Sequence, residues 1–564
     1  MSVGREERGS IVGSEPTESW DAIVVGSGPG GLTTAACLAS AGKRVLVVER
    51  HNRAGGNMQI FRRKHEGDGY EFDVGVHYLG EGGPGGLFTN IFASLGLAGR
   101  MNFLPMDTDC FDTLHFPDFT FRVPASWDKY QERLVEQFPH EKAGVEKCLR
   151  ILRTVSEEAR KIFGEERPTF DLWATRPLNE LFDECEMSTK LCAVLDHWSG
   201  LYAGGPSQTA VAMHAGIVGH YMNGAYYPQG GGQMMAARLV QAIEACGGEV
   251  RCIEPVERIA VENGKTTGVV LEDGRFLAAP LVISNADYRR TVEHLVGAQH
   301  LAPSTVRWAQ EATMTLGLVC TYVVVNKELT GPNTNYFVFS GYETDEYYSE
   351  LDQGQLPSGQ VPFAYIALAS RKDPGNAALC PPGHTNFQIM SLAPRGNDYW
   401  GVETGPADGG KYRRNETYRA KKEAFTERLL DAAETVFGPL RENIVHLETA
   451  TTLSHERYIS SSGGTSYGYQ HSPEQIGKYR PSYRTEIEGL WVVGANTVSG
   501  HGIGGAMSGG VFCAGEILDR PLIAEIYMGQ QLIDPELIPP DPEDFDPLMV
   551  SRGKRLRKLR AQKG

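Results

Sequence analysis

The stretch WDAIVVGSGPGGLTTAACLASAGKRVLVVERHNRAGGN, residues 20–57, leaves this chain few folds to choose from. Residues 21–25 are a short apolar, β-branched run that breaks at Gly26-Ser27-Gly28-Pro29-Gly30-Gly31. A small-residue helix is expected over 32–41, then a second strand over 44–48 ending in Glu49. A dinucleotide pyrophosphate asks for this order of parts: Gly26 makes the tight turn, Gly28 lets backbone approach the phosphates, and Gly31 lets the helix pack closely on the strand. Gly30 belongs to the same loop, whose following helix turns free N–H groups and a positive dipole end toward an anion. Glu49 stands near the spacing of about 20 residues at which a carboxylate accepts ribose hydroxyls, and Arg50 follows it. A glycine-rich turn in some other α/β unit would explain the loop but not the ordered set.

Length and charge bound the rest. A chain of 564 residues is larger than one core, so two domains are expected. The net charge of -16 argues against nucleic acid as a partner, because counterion release needs clustered Lys and Arg. Ten cysteines form no C-x-x-C and no regular framework, and they read as reduced residues of a cytoplasmic protein rather than disulfides or metal ligands. No metal site is expected. The polar lead over residues 1–18 has no apolar signal core and reads as disordered, and no apolar run of about 18 residues is present to span a bilayer.

Beyond Glu49 the chain reads Arg50-His51-Asn52-Arg53-Ala54-Gly55-Gly56-Asn57, an acid followed six residues later by a glycine pair. Paired glycines let a second loop pass close to a bound cofactor with its N–H groups free. With the clamp, this resembles the E-x(5)-GG signature of flavoproteins related to amine oxidases and carotenoid desaturases, and it favours FAD over NAD. Further on, FDVGVHYLGE (72–81) resembles the D-x-G-x-H-Y segment of the retinol saturase and carotenoid isomerase group. YYPQGG (226–231), the loop SGGTSYGYQH (462–471), and GLWVVGANT with GHGIGGAMSGG (489–510) are similar to the same family. The chain is thus identified as similar, from residue 21 to 518, to the phytoene desaturase, carotenoid isomerase and retinol saturase family of FAD-dependent oxidoreductases, nearest its saturase branch.

That resemblance implies an α/β fold: a doubly wound, discontinuous Rossmann-type FAD domain (19–90, 220–300 and 480–525) with a mixed α+β substrate domain (91–219 and 301–479). It places Gly55, Gly56 and Asn57 at the cofactor, and Val256, whose backbone would serve the adenine. It adds Gly494, Gly502, Ile503, Gly504 and Ala506 at the flavin, where a helix end faces the edge that becomes anionic on reduction. His77 and Glu81 lie in the segment that flanks the isoalloxazine, and His501 lies in the C-terminal motif; these three are the catalytic candidates, each with an ordinary structural reading beside it. The family's reactions include saturation, desaturation, cis-trans isomerisation and ketolation of apolar polyenes, with NAD(P)H a candidate reductant. Two rivals stand beside it: an amine or amino-acid oxidase, and a non-catalytic lipid-cargo protein on the same fold.

Three regions stay open on residues alone. The helical stretch 87–219 is either plain core or a cap over an apolar substrate. The aromatic strands between 300 and 480 turn one face to a ligand or to core. The C-terminal segment 526–564 is an acidic, Pro-rich extended arm with a basic tail, RGKRLRKLRAQK. That tail is read as a solvated end, as a partner of acidic surface, or as a peripheral contact with anionic lipid, and the arm as a candidate homo-oligomer contact.

Overall fold

The computed structural model describes residues 18–161, 165–356, 361 and 363–561. The lead up to residue 17 lies outside the described residues. Glu18 does not: Glu18–Ser19 pairs with Phe276–Ala278 as a short parallel strand, and the Glu18 carboxylate meets the Arg251 guanidinium at 2.7 Å.

Five parallel strands form the central sheet, in the order Glu249–Cys252, Val45–Glu49, Ala22–Val25, Leu281–Ser284, Leu490–Val492. Residues on both faces of Ala22–Val25 and Val45–Glu49 are buried, which is why AIVV and VLVVE are continuous apolar runs without alternation. The doubly wound α/β class follows from this sheet. Pro29–Ser40 starts three residues earlier than residue spacing suggests, because Pro29 at the first helical position needs no N–H partner. This helix lies against Gly502–Leu518 so closely that a β-carbon on Gly510 would stand 2.6 Å from the Gly30 carbonyl oxygen. The small residues of both helices permit that approach. A three-stranded meander, Val256–Glu262, Lys265–Leu271 and Phe276–Ala278, sits over the sheet edge; its first turn puts Asn263 and Gly264 at φ 50° and 76°, a hairpin geometry these two residue types tolerate.

The second sheet has seven strands, in the order Ile444–Ala450, Gly317–Val325, Thr385–Ala393, Phe363–Ala367, Asn335–Phe339, Asp112–His115, Thr120–Val123. Alternation along Gly317–Val325 divides it between two environments. Val319 and Val323 pack with Trp400, Phe425 and Leu429 beneath the helix Glu416–Phe437, whereas Cys320 and Tyr322 join Tyr78, Tyr365 and Met390 on the other face. One face is thus core beneath a helix, and the other gathers aromatic side chains with Tyr78 and Tyr365.

The helices Lys142–Glu158 and Val211–Tyr221 close the second face. Between them in the chain, Asp196–Leu201 forms a 3-10 helix whose turn is drawn tight by Tyr202 donating to Asp196 at 3.0 Å. The tail is not a solvated end as far as residue 561. Gly553–Ala561 is helical, Arg557 and Arg555 pair with Glu244 and Glu254 of the dinucleotide domain, and the arm is tied down by Arg62 on Asp546 and Arg238 on Asp541. It is the reading as a partner of acidic surface that the geometry matches.

Candidate functional site

A single cavity of about 2730 Å³ runs from Glu49 and Val256, past Gly26 and Gly28, along the start of Gly502–Leu518, and into an aromatic chamber under the seven-stranded sheet. One small-molecule ligand fills about 300–1,000 Å³, so this volume suits a large cofactor together with a substrate.

The cofactor end is built from backbone. Gly26 has φ 92°, and a β-carbon on Gly28 would meet the Asn285 amide nitrogen at 2.7 Å. Gly56, at φ 54°, brings the second glycine loop against the first. Glu49 is 8% exposed, and its carboxylate is aimed by Ser27, whose N–H and hydroxyl donate to Oε2 at 3.0 and 2.6 Å, and by the His51 N–H on Oε1 at 2.7 Å. Gly30, Gly31 and Gly55 do not line the cavity. Their lack of a side chain is a packing need: a β-carbon on Gly31 would stand 2.4 Å from the Gly26 carbonyl oxygen, and one on Gly30 3.1 Å from both the Gly494 nitrogen and the Ala506 carbonyl oxygen.

The other expected cofactor residues do line it. Asn57 is oriented by His455, whose Nε2 lies 3.2 Å from its Oδ1; Arg50 is exposed and donates to Ser460 and to the Arg457 carbonyl oxygen; Val256 stands at the adenine end. Gly494, Gly502, Ile503, Gly504 and Ala506 form the wall between cofactor end and chamber. Arg480, only 4% exposed, braces this wall by donating to the carbonyl oxygens of Tyr469, Gln470, Gln475, Ala495 and Thr497.

The three catalytic candidates fall in different places. His77 lines the chamber, and its Nδ1 has no partner among the described residues. His501 lines the wall 7% exposed, neither ring nitrogen partnered, with its ring 4.7 Å from that of His471. Burial first, and the nearby charge of Lys372 or Arg480 second, pushes both imidazoles down to about 3. At neutral pH they are uncharged rings offering hydrogen bonds, not imidazolium acids. Glu81, at φ 54°, also lines the cavity, but its carboxylate is taken: it pairs with Arg160 at 2.5 Å and lies 4.0 Å from His220.

The sequence places Asn285, with Ala286 and Asp287, at a strand edge where ligands sit, without a role of its own, and assigns none to His471. The Asn285 side chain lies within 3.0 Å of the β-carbon positions of Gly28, Gly30, Gly31 and Gly494, so it ties both glycine motifs together. Its only sequence signal is its place at the end of a buried parallel strand, where open α/β sheets bind ligands. His471 carried a weaker hint inside a glycine-rich loop.

The residues fit the expected FAD. Two backbone cradles meet that side chains would fill, and a buried carboxylate, Glu49, is held by Ser27 and His51 at the end where a ribose would lie.

Comparison with known proteins agrees with this geometry. The chain is 28% identical to the all-trans-retinol 13,14-reductase of Danio rerio over 92% of its own length and 89% of that protein. It is 26% identical to prolycopene isomerase 2 of an Oncidium hybrid cultivar over 91% of its length and 86% of that protein. Among solved structures, an oxidoreductase from Methanosarcina mazei superposes with a TM-score of 0.61 at 17% identity, covering 88% of this chain and all of that one. The family model of flavin containing amine oxidoreductases matches residues 29–371, well over half of the chain. The protein is an FAD-dependent oxidoreductase and belongs to the flavin-containing amine oxidoreductase family.

Proposed function

We propose that the protein reduces a carbon-carbon double bond of an elongated apolar polyene, a retinoid or carotenoid-like isoprenoid, taking the reducing equivalents from a nicotinamide dinucleotide. The observation that carries this reading is the chamber, whose walls include Tyr78, Tyr221, Phe337, Phe363, Tyr365 and Met390. The reductase and isomerase names of the relatives support the same substrate class. An amine substrate is disfavoured, since the two acids on the chamber side, Glu81 and Glu448, are already paired with Arg160 and Arg63.

FAD, when bound, supplies hydride chemistry at its N5. Gly26, Gly28, Gly56 and Glu49 would hold its ADP half, and Gly502, Ile503 and Gly504 would face the pyrimidine edge. The remaining work belongs to orientation and water exclusion. Stacked Tyr78 and Tyr221, 4.4 Å between centroids, and Tyr365 give the polyene flat apolar walls. Water supplies the second hydrogen as a proton, and neutral His77, its ring 6.0 Å from that of Tyr365 in the chamber wall, is the group we place to orient that water by hydrogen bonding.

Where the cavity meets solvent at one end, the rim carries Phe512, Tyr527 and Met528, 42%, 51% and 77% exposed, beside Arg160 and Lys161. We place the entry of the apolar substrate there, with a peripheral bilayer contact at this rim and not at the basic tail. No helix among the described residues is long and apolar enough to cross a membrane.

Anaerobic stopped-flow tests the reading: the photoreduced enzyme mixed with a retinoid or carotenoid should regain its oxidised flavin absorbance while the product gains two hydrogens by mass. Altered double-bond geometry at unchanged mass would make it an isomerase, loss of two hydrogens with flavin reduction a desaturase, and rapid flavin reduction by an amine would remove the polyene from the account.

A further inference from the structure

The same cavity has a second opening of opposite character. Between the segments 405–422 and 448–461 its lining carries Arg413, Arg419 and Lys422, joined across the gap by Arg50 and Arg63. Glu448 is the one acid these two segments contribute to the lining, and Arg63 occupies it with two bonds, at 2.6 and 2.8 Å. Arg50, Arg413, Arg419 and Lys422 have no carboxylate partner among the described residues. In a chain with 70 acidic and 54 basic residues, unpaired cations gathered at one mouth are a local reversal of the general sign. Such a mouth focuses field on an incoming anion.

Aromatic rings lie among these charges. Tyr458, 49% exposed, receives a hydrogen bond from Arg413 at 3.5 Å, while Tyr412 and Tyr418, 5.0 Å apart edge to face, pack behind it into the core beside Trp400. Flat rings beside guanidinium groups match a ligand that is both aromatic and polyanionic. From here the cavity leads along Glu448–Ala450 and Tyr322 into the chamber, and past His455 to Asn57 at the cofactor.

We propose that this basic mouth binds the phosphorylated nicotinamide dinucleotide NADPH as electron donor, phosphates on Arg413, Arg419 and Lys422, with a base stacked on Tyr458. The proposal rests on the reductive reading above, which requires two electrons from outside. In the step, NADPH gives up a hydride and leaves as NADP+, and the flavin takes that hydride together with one proton from water.

The test is made on the FAD-loaded protein without any polyene, so that its outcome is separate from the choice of substrate. NADP+ titrated calorimetrically should bind, more weakly as salt is raised, and anaerobic NADPH should bleach the flavin with saturable kinetics. The triple variant Arg413→Gln, Arg419→Gln, Lys422→Gln should keep its FAD content and lose affinity for NADP+ by roughly tenfold or more. Lys422→Arg alone should retain it. NADH, lacking the ribose phosphate, should bind less tightly. The proposal is overturned if NADP+ does not bind, if the triple variant binds it as tightly as the parent, or if the flavin yields only to an acidic redox protein and not to NADPH.

Discussion

Gly56 lies so close to Gly28 that a β-carbon added to Gly56 would stand 2.9 Å from the Gly28 α-carbon. The two glycine loops therefore touch through backbone alone, and the cofactor's phosphates have to pass where side chains are missing. Gly28→Val fills that space and also presses on Asn285. Gly56→Ala adds the left-handed backbone cost, roughly 1 kcal/mol. Both variants should purify colourless, with a flavin-to-protein absorbance ratio below a tenth of the parent's. Full flavin content in either would mean that the pyrophosphate does not run between these loops.

The end of the arm reaches the same loop from behind. The Ser551 carbonyl oxygen accepts from the Ala54 N–H at 2.7 Å, and Gln233 bridges them by donating to the Ser551 hydroxyl at 2.8 Å and to the Ala54 carbonyl oxygen at 2.9 Å. Ending the chain after residue 546 removes these bonds and the pairs on Glu244 and Glu254, while keeping the anchor of Asp546 on Arg62. Several buried hydrogen bonds at about 1 kcal/mol each predict an FAD off-rate raised by tenfold or more, measurable by flavin fluorescence on dilution. An unchanged off-rate would make the arm a bystander.

These two cases mark how far residues alone could be read. Strand, loop, helix, strand and acid over 20–57 are local in sequence, each dictated by a neighbour, so the clamp and the α/β class were legible. The arm's hold on Ala54 joins residues 497 positions apart, and no periodicity announces it. The Arg63 bond to Glu448 spans 385 positions, and neither residue is unusual in its own surroundings. Glu81 shows the limit from the other side: adjacency to a family motif made it a catalytic candidate, whereas its partner Arg160 lies in a distant helical segment. The direction in which His77 and His501 titrate was equally hidden, because burial is a property of the whole packing.

Buried neutral histidines make stability depend on pH. His214, fully buried with Tyr202 on its Nδ1 at 3.0 Å, is held down to about 3 by burial, and His501 likewise. In the unfolded chain each takes a proton near pH 6.5, so below that pH the unfolded state binds protons that the native state does not. Their contribution is complete above about 6.5 and falls as pH drops toward 3; at pH 5 the loss is about 2 kcal/mol for each. Asp73, pushed up to about 6 by burial, works in the opposite sense. The test is therefore a difference: His214→Gln should lower Tm at pH 7.5, and its Tm should fall less steeply than the parent's from pH 6.5 to 5. Parallel curves would show that His214 is protonated in the folded protein.

The roles of His77 and His501 separate by what each variant leaves intact. His77 faces the aromatic chamber, 6.0 Å between its ring and that of Tyr365, and touches no part of the glycine clamp. His501 caps the helix Gly502–Leu518 and packs edge-on to His471. If His77 orients the proton-donating water, His77→Ala should keep its FAD and lower turnover by about 10²-fold or more, the usual worth of a positioned proton transfer. The hydride half of the reaction, read from the flavin, should slow less than the appearance of doubly hydrogenated product. His501→Ala should instead shift the flavin spectrum and weaken FAD binding, because its ring packs between Tyr467 and His471 in the cofactor wall. Since both rings stay neutral down to about pH 3, the parent enzyme's rate should show no inflection between pH 6 and 8 from either. An inflection in that range that vanishes in His77→Ala would mean that the chamber is wetter in turnover than its packing implies. Normal turnover in His77→Ala would mean that another group holds the proton-donating water.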